Sequence, residues 1–227
     1  MYEYLPANDR ESAMAKRKMS NPLALAVLAT IREQPRHPYE IAQLLRSRHK
    51  EHSIKINYGS LYTVVQSLER HGFIEAAGTE RDGRRPERTL YSLTEAGSAE
   101  LVDWLSELVT EPVKEHPRFE AALSLIGVLP PDEAMALLER RVVAQDAWIA
   151  SQREELAAVM ESGVPRLFLV ESEYSLDMRA AENDWIRQLL KEMADGSLQG
   201  MDGWRQYHAT GEAPREWQEL EAERQQD

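Results

Sequence analysis

Apolar positions recur along this chain with the period of an α-helix over most of its length, and two short β-type runs interrupt them. In "SNPLALAVLATIRE", Leu23, Val27, Leu28 and Ile31 make one helical face. Asn21 is a ready N-cap, and Pro22 suits the first helical position, where its missing N–H costs nothing. "EQPRHP" breaks the pattern, and "PYEIAQLLRSRHK" begins a second helix with Ile41, Leu44 and Leu45 facing inward. A third starts near Asn57 or Tyr58 in "INYGSLYTVVQSLERHGFI". Its Leu61, Val64, Val65 and Leu68 fall at i, i+3, i+4 and i+7, and Gly72 lies where a left-handed C-terminal cap is wanted. The β-type runs "GFIEAAGTE" and "RTLYSLT" flank Asp82-Gly83, a strong hairpin signal, and Thr94 then caps a helix through "SAELVDWLSELV".

The remaining pattern is helical. "PRFEAALSLIGVL" predicts a short helix ended by Pro130-Pro131. In the long segment that follows, Leu138, Val142, Gln145, Ile149, Gln152, Leu156 and Val159 alternate in steps of four and three. That is a heptad seam with two polar interruptions of the register-setting kind. After "ESGVP", a last long helix carries Leu167, Val170, Tyr174, Met178, Ala181, Trp185 and Leu189 on one face. The pair predicts an antiparallel hairpin with apolar surface left over for a partner. Beyond Asp195-Gly196 the chain is rich in Gly and charge with little periodicity, so a loosely ordered tail is expected.

Three compact helices, a hairpin and a following helix predict a winged helix-turn-helix. In that arrangement the third helix enters the major groove while the wing reaches the flanking backbone. The expected fold is mainly α: a winged helix-turn-helix domain followed by a helical antiparallel-hairpin dimerisation domain. The expected divisions are an N-terminal extension at 1–20, a DNA-binding domain at 21–110, a helical domain at 111–194 and the tail at 195–227. This also explains why the third helix combines an apolar stripe with several hydrogen-bonding side chains. The stripe holds it on the domain, and Ser60, Tyr62, Thr63 and Gln66 are left for DNA.

Charge sharpens that expectation. The 227-residue chain has a net charge of −12, yet its residues from Lys16 to Leu93 hold 14 basic against 8 acidic side chains, a net of +6. The rest holds 13 against 31, a net of −18. A basic module within an acidic chain is the electrostatic footprint of a nucleic-acid binder. With no Cys there is no disulfide framework or thiolate metal site. No run is apolar enough for a membrane span, and the polar N-terminus lacks the core of a signal peptide, so a cytoplasmic protein without membrane contact is expected. No nucleophile with an adjacent base and no phosphate loop is present, so no catalytic residues and no cofactor are expected. His49 and His52 have a spacing that suits a helical metal pair. Two histidines without thiolates or a carboxylate pair make a poor site, and no metal is expected.

"NYGSLYTVVQSLERHGFI" resembles the recognition-helix signature of the PadR family of bacterial transcriptional regulators, a Gly-(Ser/Thr)-Leu-Tyr core followed by Leu-Glu-x-x-Gly-(Leu/Phe)-Ile. "HPYEIAQLL" is similar to the family's preceding helix, and "RTLYSLTEAG" to its second wing strand and helix cap. The resemblance runs from about Asn21 to Leu108 with specific motifs and loosely on to Met193, where the family has a helical dimerisation domain. Thr63 departs from it, since many members carry Pro there. "MAKRKMSNPLALAVLA" resembles a family beginning, so Met14 is a candidate start in the cell alongside Met1.

The resemblance implies a homodimeric repressor on a palindromic double-stranded DNA operator, released by an effector. Ser60 and Tyr62 match family positions that contact the operator. Tyr58 serves equally well as a DNA contact or as packing on the neighbouring helix, and Gln66 as an adenine reader or as a solvated side chain. Arg84 and Arg85, after Asp82-Gly83, sit at the wing tip and suit phosphate or minor-groove contact. Arg46, Arg48, Lys50 and Lys55 add phosphate attraction. Small aromatic or amphipathic effectors of the family implicate Trp148, Tyr174 and Trp185 as pocket residues. The alternative is a winged-helix adaptor that uses the same surface to bind protein; the confined basic charge favours DNA.

Overall fold

The structure, a computed structural model, describes residues 19–80 and 88–224. The chain divides into two compact units after Lys114.

The first unit begins with α1 (Pro22–Glu33), α2 (Pro38–Ser47) and α3 (Tyr58–Arg70). Each start is set by a side chain that accepts an otherwise unpaired N–H of the first turn. Asn21 accepts from Leu23 at 3.0 Å, and Asn57 accepts from Ser60 at 2.7 Å. At α2 the cap is His37, whose Nδ1 accepts the Tyr39 N–H at 3.1 Å while its own N–H donates to Glu40 Oε2 at 3.2 Å. The expected faces are inside: Leu23, Val27, Leu28, Ile31, Ile41, Leu45, Leu61, Val64, Val65 and Leu68 form one core. α3 stops where Gly72 adopts φ +74°, letting the Phe73 N–H return to the Leu68 carbonyl at 3.0 Å.

β1 (Ile74–Glu80) and β2 (Arg88–Leu93) pair antiparallel, as the hairpin pattern predicts, with a bulge between Ala76 and Gly78. The α1–α2 connection adds a bridge, Arg36 to Tyr91, with backbone bonds of 3.1 Å in both directions. Thr94 then caps α4 (Glu95–Thr110): its hydroxyl donates to the Gly72 carbonyl at 2.7 Å and accepts the Gly97 N–H at 3.0 Å. α4 lies so close to the strand start that a Cβ on Gly97 would sit 1.9 Å from the Phe73 carbonyl oxygen.

The second unit holds α5 (Arg118–Ser124), α6 (Pro131–Glu161), α7 (Val170–Asp195), α8 (Met201–Thr210) and α9 (Arg215–Arg224). The short helix predicted through Leu129 ends at Ser124 and continues as a tight turn over Ile126–Val128. α6 and α7 form the expected hairpin. Leu138, Val142, Gln145 and Ile149 of the seam are buried, with Gln152, Leu156 and Val159 half-buried. Gln145 donates to Glu182, as does Arg141 at 2.6 Å; buried Asn183 donates to the Val142 carbonyl at 3.2 Å and to Asp146 at 2.9 Å. A mispaired register would strand these polar groups. Most of the stripe expected on α7 points outward: Tyr174, Met178 and Trp185 are 68%, 53% and 51% exposed, Leu189 packs half-buried on the core, and the buried positions are Leu176, Asn183, Ile186 and Met193.

The loosely ordered tail expected from residue 195 is replaced by α8 and α9. Met201 and Trp204 are buried in one cluster with Ala134, Leu138, Ile186 and Met193. Gly196, Gly200 and Gly211, which read as loop composition, take positive φ at the helix ends and allow sharp turns between short helices. Burial of two large side chains against residues far away in sequence outweighs the weak local signal.

Candidate nucleic-acid interface

The face of α3 opposite its buried stripe carries Tyr62, Thr63 and Gln66, all exposed, with Tyr62 at 42%. The Thr63 hydroxyl donates back to the Gly59 carbonyl at 3.1 Å, which leaves its lone pairs and methyl group outward. Ser60, in the first turn, is half-buried beside the Asn57 cap. Lys55 is exposed just ahead of the helix. Tyr62, Thr63 and Gln66 therefore form one outward surface, with Ser60 at its edge.

Tyr58 sits differently. Its ring stacks on Tyr39 of α2 at 5.8 Å and 14°, and the Arg46 guanidinium lies 4.6 Å over the ring while Nη1 donates to the Tyr58 hydroxyl at 3.0 Å. Of the two roles open to it, packing against the neighbouring helix is the one seen. Tyr58 brackets α2 to α3, and Arg46 is positioned by it. Arg88 of β2 reaches the other side of the bracket, 5.7 Å from the Tyr39 ring. Arg48 is committed to Glu33 through two hydrogen bonds, the second at 2.9 Å. That partner holds the Glu33 carboxyl below the usual range, first through the hydrogen bond from Arg48 and against a smaller effect of burial.

His37, which no sequence motif singles out, lies beside this surface. Its ring meets Tyr62 edge-on at 6.4 Å and 68°. Burial, then the charge of Arg88, push the imidazole pKa down, and Glu40 opposes them. The neutral ring is the one that can accept the Tyr39 N–H, so capping and the lowered pKa agree. The capping-box spacing from His37 to Glu40 was the available signal, hidden because His is an uncommon cap. Arg84 and Arg85 lie outside the described residues, as do Met14 and the N-terminal extension up to residue 18.

In the second unit, Trp148, Tyr174 and Trp185, the expected effector residues, do not line one cleft. Trp148 is half-buried under the Arg179 guanidinium at 4.1 Å, and Tyr174 is exposed. Trp185 lines an open cleft of about 260 Å³ with Pro117, Phe119, Glu120, Leu123 and Glu182. None of the helices among the described residues is long and apolar enough to cross a membrane.

Residues 27–103 match the model of the transcriptional regulator PadR-like family, the stretch that includes the motifs of α2, α3 and β2. Among solved structures, Bacillus subtilis PadR in complex with operator DNA is similar, with a TM-score of 0.61 at 22% identity over 78% of this chain and 99% of that one. Bacillus subtilis PadR in complex with p-coumaric acid gives 0.62 at 19% identity over 76% and 98%. The Vibrio cholerae virulence activator AphA gives 0.56 at 18% identity over 76% and 98%. At these identities the likeness is one of fold. No curated protein matches the chain.

Proposed function

We propose that this PadR-like chain is a sequence-specific DNA-binding transcriptional regulator, not an enzyme, acting as a homodimer in the cytoplasm. The observation that carries the reading is the division of α3. Leu61, Val64, Val65 and Leu68 fix it in the core, while Tyr62, Thr63 and Gln66 are exposed in the part of the chain that matches the PadR-like family. Tyr62, exposed beside the His37 ring, suits a phosphate contact, and Gln66 suits an adenine edge. Ser60 and Lys55 border the same surface, and the basic sequence at Arg84 and Arg85 supports further phosphate contact. Tyr58 contributes by holding Arg46 and the angle of α3.

Dimerisation through the second unit is supported by Tyr174, Met178 and Trp185 of the α7 stripe, which the described residues leave exposed. Two copies related by a two-fold axis present two recognition helices, which fits a palindromic operator. Control by a small aromatic effector is supported by the solved complex of Bacillus subtilis PadR with p-coumaric acid; the cleft beside Trp185 is our candidate for its site, with Trp148 and Tyr174 outside its lining. An effector would act as a population shift between binding and non-binding spacings of the two recognition helices, with repression relieved on binding.

The test is a mobility shift on the region upstream of the protein's own gene and on random duplex, at several salt concentrations. A regulator shifts the upstream fragment at far lower concentration than the random one. Failure to shift either at low salt leaves the adaptor reading, in which the same helix and wing bind protein.

A further inference from the structure

The turn between α2 and α3 gathers three metal-ligating side chains that the DNA-binding reading does not use. The Arg48 N–H closes α2 on the Leu44 carbonyl at 3.0 Å, and His49 then adopts φ +54° and ψ +30°. Among the described residues His49 is the one non-glycine residue with positive φ, a conformation that L side chains resist. The reversal opens a single tight helical turn over Lys50–His52 and brings the rings of His49 and His52 face to face, with centroids 6.2 Å apart and planes 28° from parallel. Glu51 lies between them in the chain. One ligand atom from each of His49, Glu51 and His52 falls within 4.8 Å of the other two, and all three residues are exposed. The spacing of the histidines alone makes a poor site; the turn supplies the third ligand.

We infer that His49, Glu51 and His52 bind one divalent transition-metal ion of the zinc, cobalt or nickel type. Two imidazoles and one carboxylate are borderline donors that suit these ions, whereas calcium and magnesium take oxygen ligands. Three protein ligands leave further positions for water. Bonds of about 2.1 Å to one ion require the ligand atoms to draw in to roughly 3.3 Å of each other. Exposed side chains do this by changing rotamer. Nearby positive charge from Lys50 and Arg46 opposes a cation, while the charge of Arg48 is offset by Glu33. A bound ion braces the turn that leads into the Asn57 cap and replaces the negative charge of Glu51 by a net positive centre ahead of α3.

The full chain, treated with a chelator, is titrated with Co²⁺ and followed by visible absorption, with Zn²⁺ as competitor; Zn²⁺ is also titrated by calorimetry. One saturable site per chain is expected, with cobalt displaced by zinc. His49→Asn keeps a residue that tolerates the left-handed backbone and removes the imidazole, and Glu51→Gln keeps the length and removes the charge. Loss of an outer-shell partner alone weakens metal affinity 10–100-fold, so each variant should weaken zinc binding by about tenfold or more, at unchanged circular dichroism. No saturable site in the wild type, or wild-type zinc affinity in His49→Asn, overturns the proposal. The titration needs no DNA, so it is decided whatever the mobility shift shows.

Discussion

The indole N–H of Trp204 donates to the backbone carbonyl of Leu129 at 2.8 Å, a bond that closes a loop of 75 residues. It joins α8 to the turn ahead of α6, and the His208 ring adds a second tie to the Gly127 carbonyl at 2.9 Å. Trp204→Ala removes a large buried side chain and should cost about 3–5 kcal/mol. Trp204→Phe keeps most of the packing but strands the carbonyl, at a cost of about 1–3 kcal/mol. Urea denaturation followed by circular dichroism checks both, together with a chain ended at Asp195. If the last segment is dispensable, as its composition alone implies, the shortened chain keeps the wild-type midpoint.

Gly97→Ala should destabilise the first unit strongly. The added methyl meets backbone at Phe73, not the end of a flexible side chain, so α4 must lift away from the strand and draw Leu101 and Trp104 out of the core. Overpacking of this kind typically costs about 1–3 kcal/mol, and a contact with backbone belongs at the upper end. Chemical denaturation with Trp104 fluorescence as a probe measures it.

Acid should weaken the start of α2. The folded-state pKa of His37 is depressed, by burial first and by Arg88 next, so its contribution is fully present above the ordinary value of 6.5 and is lost as pH falls through the folded value. An N-cap is worth about 1 kcal/mol, which bounds the loss. His37→Asn caps without titrating there. Wild-type stability measured from pH 8 to pH 5 should fall toward or below that of the variant, and parallel curves would show that His37 does not cap.

Recognition helix and wing should fail differently. On the DNA-binding reading Tyr62→Ala removes one positioning contact, so specific binding should weaken by about 1–3 kcal/mol, while stability loses no more than the edge contact with His37. On the same reading Arg84 and Arg85 each neutralise a phosphate, so Arg84→Ala with Arg85→Ala should lower the slope of log affinity against log salt by about 1.8, on specific and random DNA alike. Titrations at three salt concentrations separate the two. An unchanged slope means the arginine pair is solvated.

The chain should be a dimer at micromolar concentration by light scattering. Tyr174→Glu with Met178→Glu places charge on the exposed stripe of α7 and should shift the population to monomer without unfolding it. A wild-type monomer, or an unchanged dimer in the variant, means the stripe does not form the interface.

The first unit was legible because its signals are local. Asn21, Asn57 and Thr94 cap where their side chains predict, Gly72 ends α3, and the period of Leu61 to Leu68 marks the buried face. The sequence was less informative where a residue's role depends on distant partners. Tyr58 has the same local pattern whether it faces solvent or Tyr39, and only the crossing of α2 over α3 decides. Met201 and Trp204 lie in a Gly-rich stretch without a clear period, and their burial depends on Ala134 and Leu138, more than sixty residues earlier in the chain. The α7 stripe was found correctly as apolar, but periodicity cannot say that the hairpin would use the neighbouring face through Asn183 and leave the stripe outside.

The two sides of α3 differ in how freely they can change over descent. On the DNA-binding reading, Tyr62, Thr63 and Gln66 lie outside the core cluster, so substitutions there retarget the protein to a new site at little cost to the fold. Tyr58 lacks that freedom. Its ring and hydroxyl are shared with Tyr39 and Arg46, so a lineage that replaces it must replace its partners as well. Related regulators that read different sites should therefore diverge at positions 62, 63 and 66 independently, and change at 39, 46 and 58 together.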